Sequence, residues 1–271
     1  MSSPTGPTPP PPPMYPAASS PVSPEPIGPG LSEPQRIINV FIAPSKTFDD
    51  IRRNASWWVP WLLLSLAGAM YILSVDKKVT FEAIADARNA HLTPFMQRAM
   101  EQMPPEQKQK IYDRQINGYR RGIYTGWIFV LIYGLLAAAV LTPTFNFLFD
   151  AGIKFKHALA VVFYGSLPRI LWIALGMVVV FVGVEPEGFD IENPVATNLG
   201  AFLGINSDSH FLYRFLTAFD LFFIWIVVVI ALGFIQISAR KKISKGAAIA
   251  AVGGWYLVLM LCRAALSQFI G

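Results

Sequence analysis

Cysteine, histidine and charged residues are all scarce in this chain of 271 residues, which has one cysteine, three histidines and 14% charged residues. A single cysteine, Cys262, cannot form an intrachain disulfide. The histidines show no His-Glu-x-x-His or paired-ligand spacing, so the sequence offers no metal site. It also contains no Gly-x-Ser-x-Gly motif and no phosphate-cradling glycine loop. We therefore expect a protein that is not an enzyme and that uses no cofactor.

Long apolar runs are abundant instead, and apolar residues make up 54% of the chain. The hydrocarbon core of a bilayer is about 30 Å thick, so a helix needs roughly 20 apolar residues to cross it. Continuous runs of this length favour helices over the alternating strands of a membrane barrel. The sequence predicts an all-α integral membrane bundle of about five transmembrane helices, at residues 57–75, 123–148, 158–183, 215–238 and 246–270.

The first 35 residues differ in composition from the rest of the chain. They contain 13 of the 22 prolines and no lysine or arginine. Proline-rich sequence of this kind has too little apolar surface to offset the entropy of ordering. We expect residues 1–35 to be a disordered tail and residues 36–271 to be the membrane domain.

The distribution of lysine and arginine predicts an orientation, because these residues concentrate on the cytoplasmic side of membrane proteins. They cluster before the first span, between the second and third spans, and between the fourth and fifth spans. The connection between the third and fourth spans is acidic. The pattern predicts a cytoplasmic N-terminus, an external C-terminus and a cytoplasmic basic loop that contains Arg240, Lys241, Lys242 and Lys245.

The connection at residues 76–122 is then expected to be external and amphipathic. Its prolines at Thr93-Pro94 and Pro104-Pro105 mark two helix starts. The excess of basic residues in the chain suits anionic lipid headgroups better than nucleic acid. We expect the bilayer, its anionic headgroups and a protein partner of the tail or the basic loop to be the binding partners.

Several motifs resemble those of the Yip family of five-span membrane proteins. The lead-in NVFIAPSKTFDDIRR at residues 39–53 is most similar to prokaryotic members. FYGSLP at 163–168 resembles the element of the family's third span. LYRF at 212–215, then DLF at 220–222 and SARKK at 238–242, also match the family pattern.

This resemblance implies a membrane scaffold or adaptor, and its prokaryotic character implies a bacterial inner-membrane protein. Eukaryotic Yip proteins are associated with Rab-type GTPases and vesicle traffic. The Asp-Leu-x-Gly-Pro motif of those members is absent here, and RNASWWVPW occupies residues 53–61 in its place. This departure counts against GTPase binding.

Polar residues within the spans are costly in a bilayer, by roughly 2.5–3.5 kcal/mol for a central arginine or aspartate, so they are candidate functional residues. We expect Asp220 to pair with Arg169, Arg214 or Arg263. The alternative to a scaffold is a transporter of a small solute or ion that uses Arg169, Asp220 and the helix kinks at Pro143 and Pro168. The candidate intramembrane polar network consists of Arg169, Asp220, Arg263 and Asn146.

Overall fold

The computed structural model describes residues 29–90, 92, 94–203 and 209–270, and within them the chain forms α-helices and no named strand. The predicted all-α fold is confirmed. The helices are α1 (Glu33–Ile42), α2 (Pro44–Arg53), α3 (Trp58–Lys78), α4 (Phe81–Ala90), α5 (Pro94–Glu101), α6 (Pro105–Phe149), α7 (Phe155–Gly165), α8 (Pro168–Val182), α9 (His210–Leu216), α10 (Leu221–Ile237) and α11 (Lys245–Ile270).

Four helical segments of the described chain are long and apolar enough to cross a membrane: α3, α6, α7 together with α8, and α11. The shorter apolar helix α10, with 17 residues, is about 25 Å long. Its first residues adjoin the segment after α8, since Leu221 N donates to Thr197 O at 3.2 Å. The chain just after α10 contacts the turn between α6 and α7, since Ala239 N donates to Ala151 O at 2.9 Å. Helix α10 therefore runs from one end of the bundle to the other.

The second and fourth predicted spans have different lengths in the structure. Helix α6 has 45 residues and starts at Pro105, so residues 105–122, expected in a loop, extend the second span by several turns. The fourth span starts at Leu221 instead of 215, because the Asp220 side chain caps α10 and the preceding residues form the separate helix α9. Helices do start at Pro94 and Pro105 as predicted; Thr93 lies outside the described residues.

The N-terminal helices α1 and α2 form a hairpin. The helical conformation breaks at Ala43, directly before Pro44, the first residue of α2. Helix α1 starts at Glu33, where Ser32 N donates to Gln35 Oε1 at 2.9 Å. Helical structure thus starts before residue 36, the boundary expected for the membrane domain. The predicted disorder of residues 1–28 lies outside the described residues.

Helix α7 occupies the centre of the bundle, and every residue from Ala158 to Gly165 is buried. Glycines allow its neighbours to approach closely. A Cβ atom on Gly165 would lie 2.5 Å from Ile230 Cγ1 of α10, and one on Gly233 would lie 2.5 Å from Val161 Cγ1. Within a membrane, helices associate through such close packing because lipid supplies no hydrophobic driving force between them.

We predict that Gly165→Ala lowers the apparent melting temperature of the purified protein in detergent. The added methyl group would also lie 3.2 Å from the backbone Cα of Ile230, so α7 and α10 must separate, at a cost of about 1–3 kcal/mol. The control is Gly68→Ala in α3, where no atom lies within 4 Å of the new Cβ and the substitution favours the helix. Equal melting temperatures for the two variants would contradict the packing described here.

Candidate functional site

One end of the bundle is formed by the α1–α2 hairpin, the α6–α7 turn (150–154) and the α10–α11 loop (238–244); we call it the basic end. The turn and the loop are joined by an ion pair between Arg240 Nη1 and Asp150 Oδ1 at 3.1 Å. Gly152, with a positive φ of +66°, lies against the side chain of Arg240, where a Cβ atom would come within 3.0 Å of Arg240 Cγ.

Asn146 lies at this end and stabilises the α6–α7 turn. Its Nδ2 donates to Ile153 O at 2.9 Å, and its Oδ1 accepts from Ile153 N at 2.7 Å. Both polar groups of the amide are therefore used locally. The structure places Asn146 in the last turn of α6, bonded to the α6–α7 turn, and shows no contact with Arg169 among the described residues.

Basic side chains dominate the exposed surface of the basic end. The predicted basic loop is exposed at Arg240, Lys241, Lys242 and Lys245. Beside it, an open cavity of about 410 Å³ has an apolar wall that includes Phe147 and Leu148 and a polar rim that includes Lys241 and Lys242. Other basic residues at the same end are Lys46, Arg52, Arg53, Lys154 and Lys156.

A buried ion pair holds the α1–α2 hairpin closed. Arg36 Nη2 lies 2.7 Å from Asp50 Oδ2, and both side chains are less than a tenth exposed. Thr47 Oγ1 donates to Arg36 O at 2.8 Å. Burial alone would lower the pKa of Arg36, but hydrogen bonds to Tyr164 and Asp50 raise it above its usual value. The guanidinium therefore stays charged inside the hairpin.

Two further hydrogen bonds dock the hairpin on the bundle. The Tyr164 hydroxyl of α7 donates to Glu33, and the Gln236 amide of α10 donates to Asp49. Sequence reasoning missed these contacts. The Pro44 interruption was the available signal, because a helical hairpin at that point brings residues near 36 and 50 together.

The opposite end of the bundle contains an acidic segment at residues 183–203. Asp190 accepts from the Tyr213 hydroxyl at 3.0 Å and pairs with Arg214 at 2.8 Å. Burial, then the Asp190 carboxylate, raises the pKa of Tyr213, so the hydroxyl remains a donor. Arg263 of α11 pairs with Glu192 at 2.5 Å.

Asp220 forms no ion pair with an arginine in the part of the chain that the structure describes. Its Oδ1 accepts from Phe222 N at 2.8 Å and from Phe223 N at 3.3 Å, and its Oδ2 accepts from the Thr197 hydroxyl. The expected arginine pairing was therefore wrong, because the free amides of a helix N-terminus satisfy the carboxylate. The arrangement gives no support to a transporter built on Arg169 and Asp220 as a pair.

The two prolines of the predicted kinks have different surroundings. Pro143 lies inside α6, which continues to Phe149. Pro168 is the first residue of α8, directly after the break that separates α7 from α8. Arg169 follows it, and its guanidinium lies 5.5 Å from the ring centroids of Trp172 and Phe223.

The fold and the charges at its ends define a helical membrane protein with several spans and no metal cluster among its described residues. The family model of the Yip1 domain matches residues 38–266. The chain therefore belongs to the Yip family, as the sequence motifs predicted. No curated protein and no solved structure matches it.

We predict that Asp50→Ala destabilises the protein by about 3 kcal/mol, because it leaves the buried Arg36 guanidinium with the partly exposed Glu33, at 3.2 Å, as its remaining carboxylate among the described residues. The measurement is the free energy of unfolding in mixed detergent. The control is Glu82→Ala, which removes the exposed partner of Arg120 and should cost at most about 1 kcal/mol. Similar costs for both variants would show that the hairpin pair is not a buried constraint.

We also predict that Asp220→Ala destabilises the protein by about 1 kcal/mol while Asp220→Asn costs much less, since asparagine is as good an N-cap as aspartate. The melting temperature of each variant in detergent measures the difference. If Asn and Ala lowered it equally, the charge of Asp220 would matter more than its capping hydrogen bonds.

Proposed function

We propose that this protein is a non-enzymatic scaffold or adaptor of the bacterial inner membrane, with its basic end in the cytoplasm. The observation that carries the proposal is the excess of exposed lysines and arginines on the α1–α2 hairpin, the α6–α7 turn and the α10–α11 loop. The basic residues of the basic end outnumber its acidic residues Glu33, Asp49, Asp50 and Asp150, and Asp50 and Asp150 are already paired with Arg36 and Arg240. The net surface is therefore positive.

A positive surface at the end of a membrane bundle lies where anionic headgroups are. Each lysine or arginine near such headgroups contributes about 1 kcal/mol of attraction. Helix α1 adds apolar side chains to this surface, with Ile38 58% and Ile42 75% exposed. Such residues suit the boundary between headgroups and acyl chains.

The acidic segment at the opposite end supports the same orientation, with the N-terminus cytoplasmic and the C-terminus external. The N-terminal segment and the basic loop would then both be on the cytoplasmic side. We assign a protein partner to the tail or to the basic loop. GTPase binding is not part of the proposal, because the eukaryotic motif before the first span is missing.

We predict that Arg240→Gln/Lys241→Gln/Lys242→Gln reduces the anionic phospholipid that co-purifies with the protein by at least about tenfold, since three attractive charges are removed. The same preparations should lose a co-purifying protein partner. Lipids and proteins are both identified by mass spectrometry after affinity purification in mild detergent.

The matched control removes three exposed charges from the other end of the bundle, as Lys110→Gln/Arg114→Gln/Arg121→Gln. A second variant lacks residues 2–28 and so leaves the α1–α2 hairpin intact. Equal lipid loss in the two triple variants would contradict a role for the basic end. An unchanged set of proteins in every variant would contradict the adaptor.

A further inference from the structure

Arg169 is a charged residue without a charged partner inside the bundle. Among the described residues it makes no ion pair and no hydrogen bond through its guanidinium; its contacts are the faces of Trp172 and Phe223. The side chain is nevertheless accessible. Its five N–H donors are therefore available to a ligand.

The position of Arg169 across the bundle is in the half farther from the basic end. It lies 14 residues after Phe155, the first residue of α7, which corresponds to about 21 Å of helix. The hydrocarbon core is about 30 Å thick. The guanidinium can therefore extend toward the headgroups beside the opposite end of the bundle.

Helices α6 and α11 supply the other polar side chains that act on Arg169. Trp255 Nε1 donates to Thr144 Oγ1 at 3.0 Å and joins the two helices on the side of the basic end. Farther along, Tyr256 of α11 stacks on Phe223 with ring centroids 6.0 Å apart, and Phe223 is one of the two rings that Arg169 contacts. Tyr133 of α6 is a second tyrosine that interacts electrostatically with Arg169. Tyr133 is 54% exposed, and its hydroxyl makes no hydrogen bond with the described chain.

The electrostatic surroundings of Arg169 include a second cation, Arg263. Within the described chain Arg263 has a carboxylate partner, Glu192, whereas Arg169 has none. The Tyr256 hydroxyl is engaged, since it donates to Ala218 O at 3.1 Å. Among the described residues, the Arg169 guanidinium and the Tyr133 hydroxyl thus remain as donors without acceptors. Helices α6 and α11 also expose apolar side chains, such as Leu136 and Leu259.

We infer that Arg169 binds a phosphate oxyanion, its guanidinium donating two parallel hydrogen bonds and the Tyr133 hydroxyl donating a third. The planar fork of arginine matches phosphate oxygens in this way. A phospholipid of the leaflet beside the opposite end would bring the phosphate with its acyl chains against α6 and α11. Free phosphate offers the same oxygens without the chains. The site is separate from the basic end and does not depend on the proposed function.

The test compares melting temperatures of full-length protein in detergent with phosphatidylglycerol, diacylglycerol or inorganic phosphate added. All variants carry the three basic-loop substitutions, so that the basic end does not contribute. Phosphatidylglycerol should raise the melting temperature by about 3 °C or more, since a ligand stabilises the state that binds it. Arg169→Gln should abolish this rise while leaving the lipid-free protein at least as stable.

Arg169→Lys and Tyr133→Phe should each retain part of the rise, because each keeps some of the donors. Arg120→Gln changes an exposed arginine that pairs with Glu82 and does not contact Arg169 in the described chain. This variant should retain all of the rise. A rise with phosphatidylglycerol alone identifies the ligand as a lipid, and an equal rise with inorganic phosphate identifies a free anion. An equal rise with diacylglycerol, or a full rise in Arg169→Gln, would overturn the inference.

Discussion

The close packing of α7 is the constraint on which the rest of the bundle depends. Its buried face receives α6 and α10 through contacts that only glycine allows, including Gly165 against Ile230 and Gly233 against Val161. Tyr164 on the same helix binds Glu33 and so fixes the α1–α2 hairpin. The hairpin in turn covers Gly233, because Phe48 lies 3.0 Å from the position of its Cβ. Displacing α7 would therefore disturb the bundle and the basic end together.

The sequence predicted the elements that depend on local pattern. Apolar runs located the spans, and the prolines at 94 and 105 located two helix starts. The continuation of α6 from Pro105 was not predictable in this way, because residues 105–122 are polar and their helix is stabilised by packing on α4, as in the Phe81–Tyr119 ring contact at 5.3 Å. The start of α10 at Leu221 likewise depends on the capping side chain of Asp220. That side chain accepts a hydrogen bond from Thr197, a residue distant in the sequence.

Charged residues show the same division between local and tertiary signals. The clusters of exposed lysines and arginines in the α1–α2 hairpin, the α6–α7 turn and the α10–α11 loop could be located from the sequence, because their positions next to the apolar runs need no tertiary information. The partners of Arg36, Asp220 and Arg263 could not, since each depends on which segments the fold brings together. Asp220 illustrates the error most clearly. A carboxylate near a span end has helix amides as well as arginines available, and the amides of its own helix lie nearer along the chain.

The shortness of α10 connects the architecture to the accessible arginine. A helix of about 25 Å is shorter than the hydrocarbon core of about 30 Å, and a bilayer adapts to a short span by thinning locally. The end of α10 that is capped by Asp220 carries Phe223, whose ring lies beside Arg169. Thinning at that end would draw headgroups inward toward the guanidinium. The capping of α10 and the position of Arg169 would then be two parts of one arrangement, in which local thinning lowers the cost of an intramembrane charge by bringing water and headgroups closer to it.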